Sequence, residues 1–393
     1  MVSTLWNWPA RSAGRLLCVA GLGVAFVAAC HLAGCVNVQV KAPSLNSGAG
    51  SSSQGTPSPP SQLPPPGEAG GIRGIVASAA GSILGAERGV IFYAYDTLAY
   101  PHQSVHLAAR AQSAEDLKGL IGARIGFFNG QSRLVGNAYT GPGGHAIVSW
   151  TPPGEGNFNF TARILAAPEG ARQHKEITEV TPAPLLVAAR DKETPFVVID
   201  LDRTIVQSGF WRVLLGGAKV APDSVEVVNR IAGQYAVIYL THRPDLLTSR
   251  SKSWLREHGY APGPLLVSDL GAAFGDSGRF KTAKLAAIRE AFPNVAIGIG
   301  DRVSDAQAYA ANGLTAYLLV RYKSKPQDMR RLAGQIRQLG GNGRIQVVSG
   351  WREVEAGIFH GRRFPPEAYA DWLYRHADSV AAESRSRDAE DDD

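Results

Sequence analysis

Acidic side chains follow two short apolar runs of the sequence, in positions that suit the binding of a hard cation. Asp200 and Asp202 come directly after one run, and Asp301 and Asp305 come after another. Four carboxylates that meet without a counter-charge raise each other's pKa and are costly to bury. A divalent cation with oxygen ligands removes this cost, and Mg²⁺ is the usual ion where a phosphate completes the coordination. The two acidic segments therefore predict a magnesium site.

Two further polar residues stand where an apolar run ends or a helical pattern begins. Thr241 directly follows the run 237–240, and Lys281 opens the helical segment after Phe280. A hydroxyl can donate to a phosphoryl oxygen and an ammonium can neutralise another, as the transition state of phosphoryl transfer requires. Lys284, one turn further along the helix, could take the place of Lys281 geometrically. With either lysine, the set predicts a phosphoryl-transfer site.

The elements that must position these residues alternate in type along the second half of the chain. Runs that are apolar at every position are typical of strands covered on both faces, and helical patterns separate them. This alternation predicts an α/β fold with a parallel, doubly wound sheet over residues 191–380, in which ligands bind at the carboxyl ends of the strands. The acids and Thr241 stand at those ends. The apolar runs are Phe196–Ile199, Tyr235–Leu240, Leu265–Val267, Val295–Ile299 and Ala316–Val320.

The preceding region, residues 72–190, has a different pattern. Apolar residues recur with period two, as in Phe158, Phe160, Ala162 and Ile164, and turn sequences such as Asn129-Gly130 separate the runs. This pattern predicts half-buried strands, and we expect an all-β, immunoglobulin-like antiparallel sandwich.

The order and spacing of the polar residues resemble the four motifs of the haloacid dehalogenase superfamily. The match comprises Asp200-x-Asp202-x-Thr204, Thr241, Lys281, and Asp301 with Asp305, over about residues 194–322. The resemblance implies that Asp200 attacks phosphorus and that Asp202 first protonates the leaving oxygen and then activates water. It also implies that Asp200, the main-chain carbonyl of Asp202 and Asp301 hold Mg²⁺, with Asp305 acting directly or through water. Arg203 departs from the glycine or aspartate that often follows the second aspartate.

A narrower resemblance concerns the substrate. The stretch Ile238–Pro244, followed by Trp254-Leu255, Gly263–Leu266 and Phe280-Lys281, is similar to lipin-type and actin-patch-type phosphatidate phosphatases, which hydrolyse phosphatidate to diacylglycerol. In this setting we assign Arg243, with Thr241 and Lys281, to the substrate phosphate. About 30 residues separate Thr204 from the next strand and about 40 separate Thr241 from Lys281, which leaves no room for a large cap domain. An open site suits a bulky lipid headgroup.

The first residues predict export and membrane attachment. Arg11 and Arg15 precede an apolar run that ends in Leu32-Ala33-Gly34-Cys35, which resembles a bacterial lipobox. We expect a signal peptide at 1–34 and an acylated Cys35 that anchors the protein to a bacterial cell-envelope membrane, inner or outer; an uncleaved membrane helix is the alternative. A Ser/Gly/Pro-rich tether follows at 35–71, and residues 381–393 are expected to form an acidic, disordered tail.

The composition bears on the number of folded cores, on nucleic-acid binding and on disulfides. With 393 residues and 45% apolar content the chain can form more than one core. The net charge is +6, but the sequence contains no dense stretch of Lys and Arg with interleaved aromatic residues. Nucleic acid is therefore not an expected partner. All three cysteines, Cys18, Cys30 and Cys35, lie in the leader, so we expect no disulfide in the folded part.

Together these features predict a magnesium-dependent phosphatase that acts on phosphatidate at a membrane. Two alternatives remain from the sequence. The enzyme could instead hydrolyse a soluble exported phosphate ester, or the domain could bind phosphatidate without catalysis. The presence of both Asp200 and Asp202 favours catalysis.

Overall fold

A computed structural model describes residues 86–169, 177–207, 218–269, 273, 275–341 and 343–391. The expected signal peptide, Cys35 and the tether lie outside the described residues. Within the described part, a β-rich region precedes an α/β region, in agreement with the mixed fold expected from the sequence.

The β-rich region consists of two sheets around a common apolar core. One sheet has the antiparallel order β1-β3-β6, and the other has the order β2-β8-β7-β4-β5. The period-two pattern is visible in β3, where Val105 and Leu107 are buried and His106 between them is exposed. The strands are Val90–Tyr95 (β1), Thr97–Ala99 (β2), Val105–Ser113 (β3), Arg124–Asn129 (β4), Leu134–Tyr139 (β5), His145–Trp150 (β6), Gly156–Ala166 (β7) and Ala183–Ala189 (β8).

One strand pair departs from the antiparallel arrangement expected for this region. Strand β2 pairs with β8 in parallel. It follows β1 after the single residue Asp96, so the chain continues in the same direction while it passes from one sheet to the other. The carboxylate of Asp96 accepts a hydrogen bond from the backbone of Leu186 at 2.7 Å, which attaches this crossing to β8.

The α/β region has a six-stranded parallel sheet with the order β11-β10-β9-β12-β13-β14. Its strands are Phe196–Ile199 (β9), Ala236–Pro244 (β10), Leu265–Ser268 (β11), Val295–Gly300 (β12), Thr315–Leu319 (β13) and Ile345–Val348 (β14). The described helices are Ser224–Ile231 (α1), Thr248–Glu257 (α2), Ser277–Ala291 (α3), Val303–Ala311 (α4), Pro326–Arg337 (α5), Trp351–His360 (α6) and Pro366–Asp391 (α7).

Helices cover both faces of this sheet, which explains why its strands are apolar at every position. Phe196 and Val198 of β9 belong to one core cluster, together with residues of α3, α4, α5 and α7. Val197 and Ile199, which alternate with them, belong to a second cluster with residues of α1, α2 and α6. A strand buried on both faces has no polar side to present to water.

Helix α7 extends to Asp391 and so overlaps the segment 381–393, for which the sequence predicts an acidic tail. Disorder of this tail remains a prediction. Among the described residues, no helix has the length and apolar character needed to cross a bilayer.

The two regions share a buried interface. Asp96, between β1 and β2, forms an ion pair of 2.6 Å with Lys252 of α2 and accepts a hydrogen bond of 2.9 Å from the backbone of Leu265 in β11. Arg110 of β3 forms a second buried ion pair, 3.1 Å long, with Asp245. The loop that follows β10 is therefore held from the β-rich side.

Candidate active site

Three segments of the chain meet at the carboxyl edge of the parallel sheet. Strand β9 lies between β10 and β12, so the loops after β9 and β12 are neighbours of the last residues of β10, which include Thr241. The backbone N–H of Asp200 donates to the carbonyl of Ile299 at 2.9 Å, which aligns the ends of β9 and β12. The topology thus brings the two acidic segments together beside Thr241, at the edge where doubly wound sheets bind ligands.

Asp200 is held on both carboxylate oxygens. Lys281 donates from Nζ to Oδ1 at 2.7 Å, and Thr204 donates from Oγ1 to Oδ2 at 3.2 Å. Asp200 is only 5% exposed, so these contacts replace most of the water that a surface carboxylate would have. Its position is set before any ligand binds.

Lys281 links two of the acids. Its Nζ also donates to Asp305 Oδ1 at 2.7 Å, and the side chain is buried. Burial by itself lowers the pKa of a lysine, but the neighbouring Asp200 carboxylate more than compensates, so the pKa of Lys281 lies above its usual value. Lys281 is therefore a permanent cation at the centre of the acidic cluster.

Lys284, the alternative that the sequence left open, has a different environment. It lines a cavity of about 440 Å³ between the β-rich and α/β regions, where burial lowers its pKa. The wall of this cavity also includes Tyr100, His106, Phe280 and Phe292. Lys281, and not Lys284, contacts the acids of the carboxyl edge.

The carboxylates of Asp200, Asp301 and Asp305 are close enough to share a metal ion. One oxygen from each lies within 4.8 Å of the others. Asp305 is fully buried, and its Oδ2 has no hydrogen-bond partner among the described residues, although a buried acceptor normally has one. Oxygen donors of this number and type fit a hard divalent cation such as Mg²⁺.

Gly300 allows this close approach. A Cβ at position 300 would lie 2.8 Å from both Cβ and Oδ2 of Asp305. Any larger residue would push the first turn of α4 away from the cluster.

The pKa values of two of the acids show the cost of clustering. Burial, together with the charges of Asp305 and Asp202, raises the pKa of Asp200 to about 6, even though Lys281 acts in the opposite direction. Burial and the charges of Asp200 and Asp305 raise the pKa of Asp301 to about 7. One lysine does not neutralise the cluster, which is the situation that a bound cation relieves.

Asp202 lies outside the three-carboxylate cluster and is paired with Arg243. The guanidinium donates from Nε to Oδ2 at 2.9 Å and from Nη2 to Oδ1 at 2.8 Å, and its Nη1 donates to Ser251 Oγ at 2.9 Å. A two-point arginine contact fixes the plane of a carboxylate. The carboxyl group of Asp202 is 22% exposed, so it can still be reached from solvent.

The placement of Arg243 bears on two sequence predictions. Arg243 was assigned to the substrate phosphate, but its described contacts are with Asp202, Ser251 and the hydroxyl of Thr241, which accepts from the Arg243 backbone at 3.3 Å. Its phosphate contact, like the metal contact of the Asp202 carbonyl, remains a prediction.

Arg203 is exposed and adopts a left-handed conformation with φ of 59°.

Trp351 supports the loop that carries Asp200, although the sequence pattern indicates no role for it. It is buried in the first turn of α6, and its Nε1 donates to the carbonyl of Thr204 at 3.1 Å. The two residues are 147 positions apart, so no local pattern could have indicated the contact. A buried tryptophan usually donates its indole N–H to an acceptor, so the residue type indicates that a partner exists. The sequence does not indicate which residue that partner is.

A family model matches the part of the chain that carries the candidate site. Residues 197–318 match the family model of the LNS2 domain of PITM 1–3. The matched part begins in β9 and ends in β13, and it includes every predicted site residue. Over these residues the chain is similar to that domain. No curated protein matches the chain.

Similarities to solved structures are weaker. The structure of a Pnkp1/Rnl/Hen1 complex is 16% identical with a TM-score of 0.29, over 36% of this chain and 55% of that one. The CARDB domain of a Pyrococcus furiosus protein is 14% identical with a TM-score of 0.17, over 25% and 94%. A conjugative transposon lipoprotein from Bacteroides eggerthii is 10% identical with a TM-score of 0.18, over 26% and 99%. The chain thus spans about half the length of the first of these, and TM-scores this low carry no functional information.

Proposed function

We propose that this protein is a magnesium-dependent phosphomonoester hydrolase that acts through an aspartyl-phosphate intermediate, with phosphatidate as its substrate. The observation that carries the proposal is the buried set formed by Asp200, Lys281 and Asp305, with Asp301 within ligand distance. The match to the LNS2 domain supports a lipid phosphate as the ligand class.

The first half of the reaction forms a bond from Asp200 to phosphorus. A carboxylate oxygen of Asp200 attacks, and the bond from phosphorus to the ester oxygen breaks. Asp202 gives a proton to that leaving oxygen, and Lys281 and Thr241 offset the charge on the phosphoryl oxygens. Mg²⁺ held by Asp200, Asp301, Asp305 and the carbonyl of Asp202 would neutralise further phosphoryl charge when bound.

The second half returns Asp200 to its starting state. Asp202, now deprotonated, takes a proton from a water molecule, whose oxygen attacks the phosphorus of the aspartyl phosphate. The bond between phosphorus and the Asp200 oxygen breaks, and inorganic phosphate leaves. Arg243 orients Asp202 through both steps, because it is itself fixed by Ser251.

The space around the site supports a large substrate. In the described residues between Thr204 and Lys281, the elements are the sheet strands β10 and β11, helices α1 and α2 and a short 3₁₀ turn. All of these belong to the α/β region, and none forms a cap. A site of this kind accepts a headgroup that remains attached to a lipid surface.

The test is release of phosphate from phosphatidate in mixed micelles and from soluble esters, with Mg²⁺ or with a chelator. We expect wild type to prefer phosphatidate and to need Mg²⁺, and Asp200→Asn to lose activity by orders of magnitude. Asp191→Asn, an exposed acid away from the site, is the matched control. A preference for soluble esters would support the alternative substrate class, and phosphatidate binding without turnover would support a binding module.

We also propose that the protein is exported and anchored to a bacterial cell-envelope membrane through an acylated Cys35. The support is the sequence of the leader, where Leu32-Ala33-Gly34 precede Cys35. Cys35→Ser should abolish incorporation of labelled fatty acid in cells, whereas Cys30→Ser should leave it intact. Equal labelling of both variants would contradict the anchor.

A further inference from the structure

An exposed aromatic group lies at the carboxyl edge of the sheet and has no part in the proposed chemistry. Tyr322 and Trp372 are 38% and 41% exposed, and their rings are 5.8 Å apart in an edge-to-face contact. His376 stacks on Trp372 at 5.2 Å and also contacts Tyr322. The rings are therefore ordered against one another, although water reaches them.

This group lies close to the catalytic loops. Tyr322 follows the end of β13, which is the neighbour of β12 on the side away from β9. Arg321, the residue before it, donates from Nη1 to the carbonyl of Gln207 at 2.7 Å, just after the loop that carries Asp200. Burial lowers the pKa of Arg321, and the charge of nearby Asp301 acts in the opposite direction. The aromatic group and the acidic cluster thus share one edge of the molecule.

Basic residues flank Tyr322 in the sequence. Residues 321–325 are all exposed and include Arg321, Lys323 and Lys325. Arg203 and Arg302 are exposed beside the acidic cluster. Asp371 and Asp378, which flank Trp372 and His376 in the sequence of α7, are paired with Arg337 and Arg330, so their charge is already matched.

We propose that Tyr322, Lys323, Lys325 and Trp372, here called the interfacial patch, dock the active-site edge onto an anionic lipid bilayer. Tryptophan and tyrosine prefer the interface between headgroups and acyl chains, and lysines beside them are attracted to the negative surface. The patch would hold the acidic cluster next to the headgroup layer, from which a phosphate ester can reach Asp200. The inference rests on the proposed function, because it supplies that site with its substrate.

The first experiment measures docking without turnover. The full-length chain is reconstituted into vesicles of equimolar phosphatidylcholine and phosphatidylglycerol that carry brominated acyl chains, with no phosphatidate. Bromine quenches tryptophan only at short range, so the quenched fraction should decrease in Trp372→Phe. In pure phosphatidylcholine vesicles, or at high salt, wild type should lose the part of the quenching that Trp372 contributes. Equal quenching of wild type and Trp372→Phe would overturn the proposal.

The second experiment measures the consequence for catalysis. The rate on phosphatidate in vesicles is divided by the rate on p-nitrophenyl phosphate for each protein. We expect this ratio to fall about tenfold in Lys323→Gln/Lys325→Gln and in Tyr322→Ser/Trp372→Ser, since each surface cation or interfacial ring adds modestly to bilayer attraction. Tyr139→Ser, which changes a tyrosine that is 67% exposed on β5, should keep the wild-type ratio.

The two experiments separate this inference from the proposed function. If the protein releases no phosphate but Trp372 is quenched, docking stands and the phosphatase proposal fails. If phosphatidate is hydrolysed while the patch variants keep the wild-type ratio, the phosphatase stands and docking through this patch is wrong.

Discussion

At the scale of single residues, charge balance is the central property of the site. Lys281 supplies one positive charge to the carboxylates of Asp200, Asp301 and Asp305, which would carry three negative charges. Buried charges are tolerated only when they are paired and hydrogen-bonded. A divalent cation would leave the cluster nearly neutral, and this explains why residues so costly to bury occur together.

The raised pKa values predict how metal-free protein responds to pH. The ordinary value for both groups is 3.8, and in the folded protein Asp200 and Asp301 have pKa values of about 6 and about 7. Over that interval the folded state retains protons that the unfolded state has released, so the free energy of unfolding should decrease as pH rises from about 4 to about 7. Thermal unfolding in chelator across this range measures it. Mg²⁺ should reverse the loss, and Asp301→Asn should flatten it; a stability that rises with pH through this interval would contradict the assignment.

Loss of Lys281 should be much more damaging than loss of Lys284. Lys281→Met leaves Asp200 and Asp305 buried without their cation, which typically costs about 3–5 kcal/mol of unfolding free energy. Activity should disappear as well. Lys284→Met removes a lysine of the neighbouring cavity and should keep activity. Denaturant unfolding and phosphate release for the two variants make the comparison, and similar behaviour of both would contradict the separate role assigned to Lys281.

At the scale of elements, helix α6 acts on a loop that is remote in sequence. The Trp351 indole donates to Thr204, and Thr204 in turn donates to Asp200. The position of the proposed nucleophile therefore depends on a helix outside the matched family segment 197–318. The contact between α6 and the Thr204 loop forms because α6 and the residues that follow β9 pack on the same face of the parallel sheet.

Trp351→Phe tests this support while it preserves a large aromatic ring. The loss of one buried hydrogen bond should lower the free energy of unfolding by about 1 kcal/mol and should reduce kcat, because the Thr204 loop loosens. Trp254→Phe is the matched control, since its indole donates to Ala218 at 3.2 Å and not to the Asp200 loop. Similar losses of kcat in both variants would mean that the effect is general destabilisation.

At the scale of the whole molecule, the β-rich and α/β regions are joined by buried polar contacts. The carboxylate of Asp245 accepts from Arg110 and from Tyr95, and burial raises the pKa of Asp245. Apolar residues Ile91, Tyr93, Leu246 and Leu247 pack around these groups. Such contacts tolerate little relative movement, so we expect the two regions to unfold together.

Arg110→Met should therefore destabilise both regions at once. It leaves Asp245 buried without its cation, at a cost of about 3–5 kcal/mol, and Arg110→Met/Asp245→Leu should recover much of that loss. Calorimetry combined with a probe in each region measures whether one transition remains. Arg88→Met, which removes a surface pair with Glu179, is the control and should change stability by less than about 1 kcal/mol. Two separate transitions in wild type would contradict a single cooperative unit.

The sequence alone determined the alternation of strands and helices over residues 196–320 and the residue types of the site, but it did not predict strand β14. Runs such as Phe196–Ile199 have no polar face, which is typical of strands covered by helices on both faces of a sheet. Acids at the ends of such strands must lie at one edge of a parallel sheet. Both features depend on local pattern, which is readable without coordinates.

Only the tertiary structure decided which groups touch. It placed Lys281 instead of Lys284 between two carboxylates, paired Asp202 with Arg243, and brought Trp351 to Thr204. It also paired Arg110 with Asp245 between the β-rich and α/β regions. It placed the exposed rings of Tyr322 and Trp372 at the same edge as the acidic cluster. These contacts join residues that are far apart in the chain, and their geometry depends on how layers pack, for which the sequence pattern carries no local signal.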